Sequence, residues 1–205
     1  MKTIYYTACS LDGFIAGRDN SLDWLLQFSD PGEEYGDFMA GVGALAMGST
    51  TYEWILEHHV RPGSADPKPW PYTQPAWIFS SRSLPGLPGA DLRFVRGDVL
   101  PVHREMAAAA AGRNIWLVGG GELVGRFHDQ GLLDEIIATV APVTLGAGAP
   151  LLPRTIARPP LRLASVRGLG GVFVEVRYEV PRHEVAPHGV LGHEGPRHEV
   201  PRTAG

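Results

Sequence analysis

The sequence has one cysteine, no long apolar run and little net charge, and each shortage excludes a class of protein. The single thiol, Cys9, cannot form an internal disulfide, which favours a reducing compartment. No stretch approaches the roughly 18 consecutive apolar residues of a membrane-spanning helix. A net charge of −4 argues against a nucleic-acid surface and a polybasic membrane patch. Because the first residues also lack a signal-peptide pattern, we expect a cytoplasmic protein with no nucleic-acid or membrane partner.

The last segment, residues 181–205, differs in composition from the rest of the chain. It is rich in Pro, Gly, His and charged residues, and the motif PRHEV occurs at 181–185 and again at 196–200. So few apolar residues cannot offset the entropy of ordering, and we predict a disordered tail after a domain formed by residues 1–180. Within the tail four histidines recur at a regular spacing: His183, His188, His193 and His198. A metal-binding tail is therefore the alternative to a plain extension, although we assign no metal site.

Strand-like and helix-like segments alternate along residues 1–180. Strands are predicted at 2–8, 44–47, 76–79, 92–95, 115–118 and 134–143. Helices are predicted at 33–42, from Ser49 or Thr50 as the capping residue to 56, at 100–111 and at 122–130. This alternation is typical of a mostly parallel sheet with helices on both faces. The last two strands, 161–167 and 172–180, are joined through a glycine-rich turn and predict an antiparallel hairpin at the sheet edge.

Three of the predicted strands end in residues suited to phosphate binding. The three strand ends are Gly-Ser-Thr-Thr at 48–51, Ser-Ser-Arg at 80–82, and Val118 with three consecutive glycines and Glu122. Ligands of open α/β sheets bind at the carboxyl ends of the strands, often at helix N-termini. Together these ends would cradle a pyrophosphate, with Arg82 holding a further phosphate. Taken singly, tight packing, a capped helix start or a turn explains each of them, and the glycine spacing is neither a Rossmann fingerprint nor a P-loop.

The order of the motifs resembles the dihydrofolate reductase superfamily, especially the reductase domain of the bacterial riboflavin-biosynthesis deaminase-reductase and its stand-alone relatives. The matching segments are ACSLDGFIAG at 8–17, LDW at 22–24, MGSTTYEWI at 47–55, WIFSS at 77–81, IWLVGGGELVGRF at 115–127 and DEIIATVAPVTLGAGAPLL at 134–152. The resemblance covers residues 2–180. It implies a dihydrofolate reductase-like three-layer α/β fold, an NADPH-dependent oxidoreductase with a small heterocyclic substrate, and a homodimer.

The resemblance also implies which residues bind the cofactor. The pyrophosphate turn and helix start correspond to Gly119, Gly120, Gly121, Glu122, Leu123 and Val124, directly after Val118. A second phosphate-contacting turn corresponds to Gly48, Ser49, Thr50 and Thr51, and the part that holds the adenosine 2′-phosphate corresponds to Ser80, Ser81 and Arg82. Ala8 and Ile15 match the residues that flank the nicotinamide.

Three residues are candidates for contact with the substrate. Thr139 matches a threonine that faces the substrate pocket, and Trp24 matches a tryptophan at the pocket mouth. The alternatives are a hydrogen bond within the sheet for Thr139 and core packing for Trp24. Asp12 would position the substrate or polarise the reacting bond, or else shape the turn with Gly13.

The chain departs from the family pattern at several positions. Ser49 replaces a basic residue often found after Gly48, which leaves Arg82 as the main candidate for 2′-phosphate selection and leaves NADH use open. Phe14 stands where deaminase-linked reductases carry a lysine, and Val118 where they carry an acidic residue. The proton donor has no single match, but four acidic residues lie in the relevant region: Asp23, Glu33, Glu34 and Asp37.

The resemblance implies, as the leading activity, reduction of 5-amino-6-(5-phosphoribosylamino)uracil in riboflavin biosynthesis. A dihydrofolate or pterin reductase is the second reading. A non-catalytic NADP(H)-binding module is the alternative from another class, because a clear acid is missing.

Overall fold

The computed structural model describes residues 1–28 and 34–181. Its central sheet has eight strands: β1 (Thr3–Ser10), β3 (Val42–Gly48), β4 (Ala76–Phe79), β5 (Leu92–Val95), β6 (Asn114–Gly119), β7 (Glu135–Ala141), β9 (Arg162–Leu169) and β10 (Phe173–Glu179). A separate two-stranded sheet pairs β2 (Phe14–Ala16) with β8 (Ala149–Pro150). The helices are α1 (Asp23–Leu26), α2 (Glu34–Ala40), α3 (Ser49–Ile55), α4 (Val99–Ala110) and α5 (Gly121–Asp129), and α3 continues as a π-helical turn over Leu56–Val60.

The strands are arranged in the order β5-β4-β3-β6-β1-β7-β10-β9. The six strands from β5 to β7 in this order run parallel, whereas β10 is antiparallel to β7 and β9 is antiparallel to β10. At the hairpin turn Gly170 and Gly171 have φ values of 55° and 70°, a left-handed conformation that glycine adopts without steric cost. The predicted mostly parallel sheet with an antiparallel C-terminal hairpin is confirmed.

A hydrophobic cluster lies on each face of the sheet. On one face Met106 of α4 and Phe127 of α5 pack with Tyr5 and Trp77 of the strands. On the other face the cluster includes Tyr52 and Ile55 of α3, with Phe38 of α2 packed against it. Because helices cover both faces, the fold has the predicted three layers. None of the helices in residues 1–28 and 34–181 is long and apolar enough to cross a bilayer.

Some predictions about the elements were wrong, and others fall outside the described residues. Neither Ser49 nor Thr50 caps α3, since Gly48 is the N-cap residue and no side chain bonds the first turn. The two-stranded sheet and α1 were not predicted. The predicted tail began at residue 181, and its residues 182–205, with the four histidines, lie outside the part of the chain that the structure describes, as does Glu33.

Candidate active site

A cleft of about 700 Å³ opens at the carboxyl ends of β3, β4 and β6. A cleft of this size is within the usual range for small-molecule sites. Its lining contains eleven of the predicted cofactor residues: Ile15, Gly48, Ser49, Thr50, Thr51, Val118, Gly119, Gly120, Gly121, Glu122 and Leu123. It also contains residues that were not predicted: Thr7, Ala16, Asn20, Leu22, Trp54, Ile55, Tyr72, Phe79, Arg126, Ala149, Pro150 and Pro153.

Strand pairing brings the first and third predicted phosphate turns together. Met47 of β3 pairs with Gly119 of β6, and Gly48 pairs with Phe79 at the end of β4. Helices α3 and α5 therefore begin side by side at the cleft. Both have a glycine N-cap in extended backbone and no side-chain cap, with φ and ψ of −78° and 165° at Gly48 and −89° and 179° at Gly120.

Uncapped helix starts leave backbone amides available to an anion. The first N–H groups of a helix have no intrahelical acceptor, and the helix dipole adds partial positive charge at the same end. In α5 these groups belong to Gly121, Glu122 and Leu123, all of which line the cleft. The arrangement suits a phosphate or a pyrophosphate.

The three consecutive glycines differ in how much room the fold leaves for a side chain. Gly119 has a φ of 155°, and the Gly119–Gly120 peptide bond is cis. A Cβ on Gly121 would lie 2.5 Å from the carbonyl oxygens of Pro150 and Leu151, so the chain's own packing excludes a side chain there. A Cβ on Gly120 would meet only Ile15 Cδ1, at 3.7 Å. Of the three, Gly120 is therefore the one where the fold leaves room for a side chain, and this room lies in the cleft.

Glu122 carries a negative charge at the start of α5, and Arg154 neutralises it. The Arg154 Nη2 and Nη1 atoms donate to the two carboxylate oxygens of Glu122 at 2.9 and 3.0 Å, and Arg154 Nε donates to Asp129 at 2.9 Å. The bond from Arg154 lowers the pKa of Glu122, and the two carboxylates raise the pKa of Arg154. The carboxylate of Glu122 therefore does not oppose an anion at this helix start as an isolated charge would.

Five predicted cofactor residues lie outside the lining of the cleft: Ala8, Ser80, Ser81, Arg82 and Val124. The Arg82 guanidinium donates to both oxygens of Glu53, at 2.9 and 2.6 Å, which raises the pKa of Arg82. The Ser80 hydroxyl is used within its own turn, where it accepts from the Arg82 amide at 2.9 Å. Val124 is buried in the cluster beneath α5.

The three predicted catalytic residues also lie outside the lining. Asp12 accepts from the Ser10 hydroxyl at 2.6 Å and from the Leu145 and Gly146 amides at 3.0 and 2.7 Å. These bonds, led by that from Ser10, lower the pKa of Asp12 and tie its turn to a distant loop. Thr139 is buried opposite Ala8 in the sheet, and Trp24 packs against a cluster formed by Ala141, Leu169 and Phe173.

A second depression, here called the annex, adjoins the cleft and shares Asn20, Leu22, Thr50 and Trp54 with it. Its volume is about 590 Å³, and four carboxylate residues line it: Asp19, Asp23, Glu53 and Glu57. Asp23 is thus the one predicted proton-donor candidate in this lining, whereas Asp37 is exposed on α2. In the described ranges, no group of three or more His, Cys, Asp or Glu side chains could hold a metal ion.

Arg126 is the most informative residue that the sequence interpretation missed. It lies within the quoted motif IWLVGGGELVGRF, four residues after Glu122. Residues four apart lie on the same face of a helix, so its position in the cleft follows from that of Glu122. Helical spacing was therefore the signal that would have identified it.

Comparisons with known proteins agree with the fold. The family model described as the RibD C-terminal domain matches residues 1–174. YwjB, an uncharacterized protein of Bacillus subtilis (strain 168), is 34% identical over 176 residues, which are 82% of this chain and 92% of YwjB. A Shewanella sp. PV-4 protein assigned to riboflavin biosynthesis superposes with a TM-score of 0.70 at 25% identity, covering 87% of this chain and 98% of that chain. Dihydrofolate reductase from Enterococcus faecalis, complexed with NADP(H), shares the fold with a TM-score of 0.56 at 14% identity, covering 87% of this chain and 95% of that chain.

Proposed function

The chain belongs to the family of the RibD C-terminal domain, and on that premise we propose that it is an NADPH-dependent reductase of a small nitrogen heterocycle. The observation that carries the proposal is the start of α5, where uncapped amides and the side-chain-free backbone of Gly120 face a cleft of about 700 Å³. The relatives support it, since one is assigned to riboflavin biosynthesis and another is a dihydrofolate reductase complexed with NADP(H).

The residues of the cleft fit the two halves of a nicotinamide dinucleotide. The amides of Gly121, Glu122 and Leu123 would hold the pyrophosphate, with the turn at 48–51 beside them. Ile15, with Ala16 and Val118, would supply an apolar surface for the nicotinamide ring. When bound, NADPH supplies the hydride, and the protein orients the reacting groups and excludes water.

The substrate that we propose first is 5-amino-6-(5-phosphoribosylamino)uracil. The hydride would reduce a carbon–nitrogen double bond of its sugar-derived imine, and the nitrogen would take a proton from water or from an acid in the region of residues 23–37. Asp23 fits this role best among the described residues, because it lines the annex beside the cleft. Family membership supports this choice over other heterocycles.

A pterin or dihydrofolate reductase is the second candidate, and the charge of the annex favours a pterin. Of the described residues that line the annex, none is a lysine or an arginine and four are carboxylates, of which only Glu53 is bonded to an arginine, Arg82. A phosphate on the substrate would meet repulsion there, whereas an uncharged pterin would not.

A turnover assay beside a binding titration distinguishes these functions from a non-catalytic module. The protein is mixed with NADPH and a panel of aminopyrimidines, with and without a ribosyl phosphate, and reduced and oxidised pterins. We expect loss of the nicotinamide absorbance with one of these classes. Saturable NADPH binding without oxidation by any substrate would contradict the reductase and favour the module.

We also propose a homodimer that forms through the β9–β10 hairpin. The edge strand β9 exposes apolar side chains: Val166 is 56% exposed and Leu163 is 55% exposed. Val174 of the neighbouring strand β10 is 45% exposed. These three residues lie on one face of the hairpin, as the cross-strand register requires. An apolar, unpaired edge is a surface that proteins usually cover. The strand at 134–143 was expected to contribute as well, but β7 lies inside the sheet between β1 and β10.

A further inference from the structure

Arg126 is the one cationic side chain among the described residues that line the cleft. It lies on α5 and reaches towards the carboxyl ends of two neighbouring strands. Its guanidinium carbon is 5.7 Å from the centroid of the Phe79 ring at the end of β4, and its Nη2 donates to the carbonyl oxygen of Gly97, which follows β5. Two contacts therefore fix the guanidinium at one end of the cleft.

That end is the adenosine end if the proposed function is correct, and the inference rests on this condition. The lining runs from Ile15 and Thr7, on the side of β1 and β2, past the glycines of β6 to Phe79 of β4. A dinucleotide with its pyrophosphate at Gly120 and its nicotinamide at Ile15 extends its other nucleoside towards Phe79. The phosphate that separates NADPH from NADH is carried by that nucleoside.

Arg82, the arginine expected at this role from the sequence, is already occupied. Both oxygens of the Glu53 carboxylate accept from its guanidinium, and Arg82 does not line the cleft. A phosphate that approached Arg82 would have to displace this carboxylate and would meet its negative charge.

Arg126 has no comparable competitor. Among the described residues its guanidinium forms no ion pair with a carboxylate. Glu122, which acts on Arg126 only through its charge, is bonded to Arg154. A guanidinium has five N–H donors in a fixed plane, of which the Gly97 carbonyl takes one. The remaining donors suit the oxygens of a phosphate monoester.

We infer that Arg126 recognises the 2′-phosphate of NADPH and so sets the preference for NADPH over NADH. It would supply the positive charge that Ser49 does not provide. Arg82 would instead hold Glu53 and stabilise the turn after β4.

The test is the affinity of the full chain for NADPH, NADH and adenosine 2′-monophosphate, measured by calorimetric titration. Four variants are compared with the wild type: Arg126→Ala, Arg126→Lys, Arg82→Ala and Arg93→Ala. Arg93 of β5 is the matched control. Its guanidinium lies 4.4 Å from the ring of Trp77, which is on β4 like Phe79, but Arg93 does not line the cleft. Arg126→Lys, which keeps the charge, guards against a variant that fails to fold.

We expect Arg126→Ala to weaken the binding of NADPH and of adenosine 2′-monophosphate by roughly 10- to 100-fold, the usual worth of a hydrogen bond to a charged group. The binding of NADH should weaken by less than about threefold. Arg126→Lys should recover part of the loss, and Arg93→Ala should bind as the wild type does. Equal losses for NADPH and NADH, or loss of the preference in Arg82→Ala alone, would overturn the inference. A wild type that binds NADPH and NADH equally would also overturn the inference, but it would leave the proposed reductase function uncontradicted. A wild type that binds neither cofactor would refute the proposed function itself.

Discussion

Replacing Gly120 by valine should remove cofactor binding and leave the fold intact. The backbone at Gly120 is extended, with a φ of −89°, so any residue can adopt it. A Cβ at this position meets only Ile15 Cδ1, at the ordinary contact distance of 3.7 Å. The cost to stability is the weaker N-cap preference of valine, on the order of 1 kcal/mol.

The loss of binding follows from the position of the added side chain. Valine would fill the part of the cleft from which phosphate oxygens reach the amides of Gly121 and Glu122. Each hydrogen bond to a charged group contributes about 1.5–3 kcal/mol. Losing two of them amounts to about 3–6 kcal/mol, which weakens NADPH binding by roughly a hundredfold to ten-thousandfold.

The matched control is Gly121→Ala. Its Cβ would lie 2.5 Å from two backbone oxygens, so this variant should lose stability, by about 1–3 kcal/mol for overpacking. NADPH titration and thermal unfolding are measured on both variants. Wild-type affinity in Gly120→Val would refute the reasoning, and so would an unfolding midpoint lowered further than that of Gly121→Ala.

Three further predictions concern charge, pH and assembly. Arg154→Ala should weaken NADPH binding several-fold, roughly the worth of a charge at a helix terminus, because the Glu122 carboxylate loses its bidentate partner at the start of α5. Adding Glu122→Gln should restore binding, and a double variant as weak as Arg154→Ala would contradict this. Hydrogen bonds lower the pKa of Asp12 in the folded state. Its contribution to the free energy of unfolding is therefore present above the unfolded pKa of about 3.9 and is lost as the pH falls through the folded pKa. Urea unfolding at a series of acidic pH values should therefore show a shallower dependence on pH in Asp12→Asn than in the wild type; parallel curves would count against the bonds to Ser10 and Leu145. Val166→Glu should turn a dimer into a folded monomer in sedimentation velocity, whereas an unchanged dimer would exclude the β9 face as its contact.

Local patterns predicted most elements of the sheet because each strand is a short apolar run that ends at a turn signal. Residues 76–79 and 92–95 were predicted with the bounds that the structure gives. The strand order was not predicted in detail, since β1 pairs with β6 and β7 through contacts more than a hundred residues away. The short β2–β8 sheet joins segments that are similarly distant in sequence. Its strands have only three and two residues, which is too short for a periodic pattern.

The candidate site was predictable where it depends on backbone and not where it depends on distant side chains. The turn at 48–51 and the glycines at 119–121 follow strands, and both line the cleft. The pairing of Arg82 with Glu53 joins residues 29 apart, and Asp12 reaches residues more than 130 positions later. Local sequence patterns do not predict side-chain contacts between residues so far apart in sequence. Nor does the sequence distinguish Gly120, which faces the cleft, from Gly121, which packs on the chain itself.

The central claim is that the start of α5 binds the pyrophosphate of a nicotinamide dinucleotide. A crystal structure of the protein grown with NADPH tests it most directly. We expect the pyrophosphate within hydrogen-bond distance of the amides of Gly121 and Glu122, with the nicotinamide towards Ile15. A cleft that stays free of the cofactor at saturating NADPH, or a cofactor bound elsewhere on the protein, would contradict the claim.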